Sequence, residues 1–146
     1  MIALEAITRD TIVRTVWGEA RGEGPSGWLA VIWVIRNRVE RYPGAWWGKT
    51  YAEVCLHPWQ FSCWKLETEK LGQLSDDDKW YVEIAKVVDN VFSAEPEFYA
   101  DPTQGCCFYK RIGTHASWDH DPESAAPRKP KIVVGRHEFF DLAPWN

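Results

Sequence analysis

A chain of 146 residues, 45% hydrophobic and 26% charged, is long enough to bury a core and too short for a second independent module, so residues 1–146 are expected to form a single domain. A net charge of −4 and a pI near 5.6 argue against a strongly electrostatic partner such as nucleic acid. No apolar run approaches the roughly 20 residues of a membrane span, so no membrane anchor is expected.

The first helix is expected to start at the caps Thr8 or Thr11, carry Ile12, Val13, Val16 and Trp17 at helical spacing, and deliver Glu19 at its end, where Gly22, Gly24 and Pro25 break it. A second helix, about Ser26 to Glu40, has Pro25 in its first turn. Its broad apolar stripe of Trp28, Val31, Ile32, Ile35 and Val39 marks it as the central buried helix. The stretch from Tyr42 to Gly72 reads as irregular, with one helical turn over Thr50 to Cys55. Ser75-Asp76-Asp77-Asp78 opens a third helix with Trp80, Tyr81, Ile84, Ala85, Val87, Val88 and Val91 inward, ending near Ser93. Rising β-branched and aromatic content then predicts two antiparallel strands, Cys106 to Lys110 and Lys131 to Phe140, joined by the loop Ile112 to Pro130. The fold class is α+β, mainly α, with a small antiparallel sheet.

Ten tryptophans are more than the core of so small a chain needs. Trp28 and Trp33 or Trp80 are assigned to the interior, and Trp46, Trp47, Trp59, Trp64 and Trp118 to a cleft or to loops. Indoles exposed in a groove suit the apolar faces of sugar rings. Cys55, Cys63, Cys106 and Cys107 show no metal-ligand spacing and read as free buried thiols, the vicinal pair pointing to opposite faces. His57, His115 and His120 have no ligand spacing with His137, so no metal and no cofactor is expected. Glu19, beside Trp17 and with Gly18 expected to leave open space, is a candidate proton donor. Its plainer alternative is a solvated carboxylate paired with Arg14 or Arg21.

Five ordered segments carry a resemblance. Glu19-Ala20-Arg21-Gly22-Glu23, Trp28-Leu29-Ala30-Val31 leading to Asn37-Arg38-Val39, Gln60-Phe61-Ser62, Asp101-Pro102-Thr103-Gln104-Gly105-Cys106 followed by Phe108-Tyr109, and Gly135-Arg136-His137-Glu138-Phe139-Phe140 are similar to motifs of the SleB-type cell-wall hydrolases. The likeness spans about residues 10 to 140. It departs from the family pattern at Gln104, where a Gly is usual, and at Cys106-Cys107.

The resemblance implies a lysozyme-like architecture and cleavage of peptidoglycan glycan strands, by a lytic transglycosylase or a muramidase, with Glu19 as the single general acid and base. Gln60, Phe61, Ser62, Tyr109 and His137 become supporting or substrate-binding residues. Glu23 is either a second acid or a structural group, the latter favoured because Gly22 disrupts the register. A wall polymer carrying acidic groups would meet Arg21, Arg36 or Arg38. The amino terminus has no export signal. A phage or prophage endolysin is therefore expected, held in the host cytoplasm until a holin-like protein releases it. The competing readings are a Cys/His or zinc peptidase or amidase, and a non-catalytic Trp-rich glycan-binding module.

Overall fold

A computed structural model describes residues 4–58, 60–64, 71–93 and 99–145. Helix α1, Ala6–Ala20, begins two residues before Thr8, so neither Thr8 nor Thr11 caps it. Thr11 and Thr15 are instead buried, and their hydroxyls donate back to the carbonyls of Ile7 and Thr11 one turn earlier. The α-helix stops at Ala20, just before the expected breakers. A 3-10 turn, Arg21–Glu23, carries the chain round to Gly24, whose φ of 78° suits glycine. Trp28 closes the junction from above, its indole N–H donating to the Arg21 carbonyl at 3.3 Å.

Helix α2, Gly24–Arg41, holds Pro25 in its first turn and is the centre of the molecule. Its buried residues run almost all round. Val31, Ile32 and Ile35 join Ile12, Val13 and Val16 of α1 in the main core, while Ala30 and Val34 pack with Cys106 and Phe139 at the sheet. Helix α3, Tyr51–Leu56, is a short element capped by Thr50, whose hydroxyl accepts from the Glu53 N–H. Helix α4, Lys79–Val91, is capped by Asp78, which accepts from the N–H groups of Trp80 and Tyr81. Tyr81, Ile84, Ala85, Val88 and Val91 face inward as the spacing requires. Arg9 on α1 grips Asp89 on α4 through two nitrogens, at 2.7 and 3.0 Å.

The sheet has three strands, β1 (Phe108–Arg111), β2 (Ile132–Val134) and β3 (His137–Phe140), in the antiparallel order β1-β3-β2. The expected single strand from Lys131 to Phe140 is thus a hairpin. Gly135, at φ 58°, makes the two-residue turn that an unbroken strand would not allow. Strand β1 is delivered by a loop that Asp101 organises: its carboxylate accepts from Thr103 N–H and Oγ1, from Gly105 N–H and from the Asn37 amide of α2. Gln104 sits in this loop at φ 56°, a conformation in which glycine is at ease, next to Gly105 at 88°.

The tryptophans divide differently from expectation. Trp47 is fully buried, because its indole N–H finds the Arg38 carbonyl at the end of α2. Trp80 is 40% exposed, edge-on to Trp28. Trp33, Trp46 and Trp64 pack against the core partly buried. Trp59 lies outside the described residues.

Candidate functional site

Glu19 occupies the last turn of α1 and reaches across to the sheet, where Tyr109 Oη donates to its Oε1 at 2.7 Å. Tyr109 projects from β1 and is held on three sides. Phe139 stacks on it at 5.5 Å, His137 meets it edge-on at 5.1 Å, and Phe61 lies 6.4 Å away. Burial first, and then the nearby Glu19 carboxylate, push the Tyr109 hydroxyl well above the usual phenol range, so it stays protonated and acts as a donor.

Gly18 does not leave open space beside the acid. A Cβ there would fall 2.5 Å from Cys63 Cβ and 3.2 Å from Leu71, so the glycine admits the turn Ser62–Trp64 against the helix. Trp17 is held on the other flank of the helix end. Its indole N–H donates to Asp78 at 3.1 Å, and its ring lies under the Arg21 guanidinium.

Two hollows meet at Glu19. The larger, of about 530 Å³, runs past Arg38, Gln60, Tyr109 and Lys110 to an aromatic end formed by Phe108, Trp118 and Trp145. The smaller, of about 260 Å³, runs past Arg21, Glu23 and Arg136. Gly18, Glu19, Arg111 and His137 belong to both. Among the described residues, the only carboxylates lining either are Glu19 and Glu23.

Glu23 is engaged elsewhere. Its side chain, 10% exposed, accepts from Arg136 Nε at 3.0 Å, and His137 Nδ1 stands 3.2 Å from its other oxygen, within ion-pair distance but misaligned for a hydrogen bond. Gly27 makes room for it, since a Cβ there would meet Glu23 Cβ at 2.4 Å. The carboxylate thus joins the helix junction to the β2–β3 turn. Burial lowers the His137 pKa from its ordinary value, and Arg111 and Arg136 add to the shift while Glu23 opposes it.

Gln60 lies in the larger hollow, its Oε1 accepting from Arg38 Nη1 at 3.0 Å. Phe61 is core, beneath Arg38 and Tyr109. The Ser62 side chain lies outside the described residues. Arg38 is a buried cation: Nε donates to the Cys107 carbonyl, and the guanidinium lies within 4.8–5.5 Å of the Trp47, Phe108 and Phe61 rings. Burial lowers its pKa to about 10, which leaves it charged at neutral pH. Arg21 and Arg38 line the hollows, whereas Arg36 is turned to Glu40 and Trp33 away from them.

Cys55, Cys63, Cys106 and Cys107 are in no disulfide, buried and outside the lining of both hollows. Desolvation raises the thiols of Cys55, Cys106 and Cys107 to about 12, 11 and 12. Among the described residues, His115 and His120 converge on Asp119, a grouping that their spacing had not suggested. Arg111, Lys110 and Trp145 are further groove residues that no motif had marked.

The family model described as a cell wall hydrolase matches residues 22–140, so Glu19 lies three residues before the matched segment. The catalytic domain of the Bacillus cereus SleB protein superposes with a TM-score of 0.65 at 21% identity, covering 96% of this chain and 94% of that one. The catalytic domain of the germination-specific lytic transglycosylase SleB from Bacillus anthracis gives 0.64 at 19% identity, covering 96% and 98%. At these identities the likeness is one of fold, mainly helical and lysozyme-like with a small sheet. No curated protein matches the chain significantly.

Proposed function

Because the chain belongs to the cell wall hydrolase family, we propose that it cleaves the glycan strands of peptidoglycan, with Glu19 as general acid and then general base. The observation that carries this reading is the Glu19 carboxyl, oriented by the Tyr109 hydroxyl at the point where the two hollows meet. Sugar rings on either side bring the glycosidic oxygen to Glu19. Its proton passes to that oxygen as the bond from C1 of N-acetylmuramic acid breaks. The 6-hydroxyl of the same sugar then forms the new bond to C1 and returns a proton to the Glu19 carboxylate, leaving a 1,6-anhydro end.

A hydrolytic muramidase instead needs a second carboxylate, about 5–5.5 Å away to trap the sugar or about 6.5–9.5 Å away to activate water. Glu23, the other lining acid, is tied to Arg136 and His137. Asp101 is spent on its own loop, and Glu138 lies 3.8 Å from the Lys110 ammonium. This distribution favours the transglycosylase route. The raised thiols of Cys55, Cys106 and Cys107, none of them in the groove lining, weigh against a cysteine peptidase.

Mass spectrometry of digested sacculi tests the reading. Anhydro-muramoyl ends are expected. Borohydride-reducible muramic ends would replace the transglycosylase by a muramidase, and free stem peptides or no change would overturn glycan cleavage. We extend the proposal to a setting as a phage or prophage endolysin. Expressed inside a bacterium, the protein should lyse it only when a holin-like membrane protein is co-expressed, and lysis without one overturns that part.

A further inference from the structure

Two of the chain's four histidines converge on one carboxylate at the lip of the groove. His120 Nδ1 stands 2.7 Å from Asp119 Oδ1 and His115 Nδ1 stands 2.9 Å from Oδ2, each imidazole taking one oxygen. The three ligand atoms lie within 4.8 Å of one another, and the two rings are 5.9 Å apart. We infer that His115, Asp119 and His120 form a binding site for a divalent transition-metal ion, with Zn²⁺ as the best fit.

The donor set makes the choice. Two imidazole nitrogens and one carboxylate oxygen suit Zn²⁺, and Co²⁺ or Ni²⁺ after it, whereas Ca²⁺ and Mg²⁺ call for a shell of oxygens. With metal–ligand bonds of about 2.0–2.1 Å in a tetrahedron, neighbouring ligand atoms stand about 3.3 Å apart. The rings therefore shift as the ion replaces the imidazole–carboxylate contacts, which open from 2.7 and 2.9 Å while the widest pair closes from up to 4.8 Å. They are free to do so, since the His115 and His120 side chains are 80% and 46% exposed. That exposure also leaves the fourth position to water.

The carboxylate is the fixed point. Asp119 is buried, its Oδ2 accepts from the Ala116 N–H, and its backbone is held by Ala116 and Arg128. Arg128 Nε also donates to the Trp118 carbonyl. Lys110 is the competing cation, 3.8 Å from Oδ2, but its ammonium already donates to the Thr114 carbonyl at 2.8 Å and has Glu138 at 3.8 Å. The ion would brace the turn that holds Ser117 and Trp118 against the groove, and it has no part in the chemistry at Glu19. Activity and metal binding consequently fail independently.

The experiment uses the full chain, stripped with chelator and titrated with Zn²⁺ by calorimetry and with Co²⁺ by visible absorption. One ion per chain, a tetrahedral Co²⁺ spectrum and a Tm rise of several degrees with excess Zn²⁺ are expected. The double variant His115→Ala, His120→Ala should bind at least 100-fold more weakly and lose the Tm rise, with an unchanged circular dichroism spectrum. His57→Ala should bind as the parent does. The inference is overturned if the parent shows no stoichiometric binding, or if the double variant binds within a few-fold of the parent.

Discussion

Tyr109 and Glu19, 90 residues apart, are joined by a 2.7 Å hydrogen bond that links the end of the first helix to the first strand. The bond fixes where the carboxyl points, because the phenol ring is itself wedged between Phe139, His137 and Phe61.

Replacing Glu19 by Gln keeps a group that accepts the Tyr109 hydrogen bond and removes the acidic proton. The thermal transition should stay within a few degrees of the parent, while turnover of sacculi falls by about 10²–10⁴-fold. Activity within a few-fold of the parent removes Glu19 from the mechanism.

Tyr109→Phe preserves the ring contacts and deletes the hydroxyl. Loss of one hydrogen bond to a carboxylate that takes up charge should lower kcat by roughly 10- to 100-fold with little change in KM. A rise in KM at constant kcat would mean that the hydroxyl binds substrate instead.

Gly18→Ala drives a methyl into Cys63. The turn cannot easily retreat, since the Trp64 indole donates to Thr15 Oγ1 at 2.9 Å. Overpacking costs about 1–3 kcal/mol and the gain in helix propensity returns under ~1 kcal/mol, so a lower denaturant midpoint is expected. An unchanged or higher midpoint would show that the site relaxes.

His137 sets a pH dependence of stability. Its folded pKa lies below the ordinary value of 6.5, so as pH falls the unfolded chain takes up the proton first. The stability held above about pH 6.5 is therefore lost as pH drops through the lower folded value. His137→Gln should flatten that part of the Tm–pH curve, and an equally steep curve in the variant would assign the effect to another group.

None of the four cysteines should react with a thiol reagent in the native protein, and all four should react after unfolding. Treatment with reagent or chelator should leave glycan cleavage within a few-fold. Loss of turnover with the fold intact would favour the peptidase reading.

Much of this architecture is written in local pattern. The apolar stripes of α2 and α4 are plain in their 3.6-residue spacing, and Pro25, Thr50 and Asp78 mark real helix starts. The hairpin over 132–140 is less plain, because Gly135 belongs to a motif whose other residues are strand formers and its positive φ is visible only in the folded chain. The fate of a tryptophan depends on what its N–H meets in the folded chain: Trp47 finds the Arg38 carbonyl nine residues back, and Trp33 the Tyr99 carbonyl 66 residues on. Glu19 stands out by its place at a helix end before the breaking residues, whereas Tyr109 and His137 stand out through the resemblance. By contrast, Asp119 with His115 and His120 gathers only when the loop turns back at Ala116, and Trp145 reaches the groove by stacking on Phe108.

The meeting of the two hollows at Glu19 has a bearing on how a polymer is consumed. An acid midway along a trough, with room for sugars on both sides, does not measure distance from a strand terminus. Scission at interior bonds then shortens long strands at once, so the viscosity of solubilised glycan should collapse before small fragments accumulate.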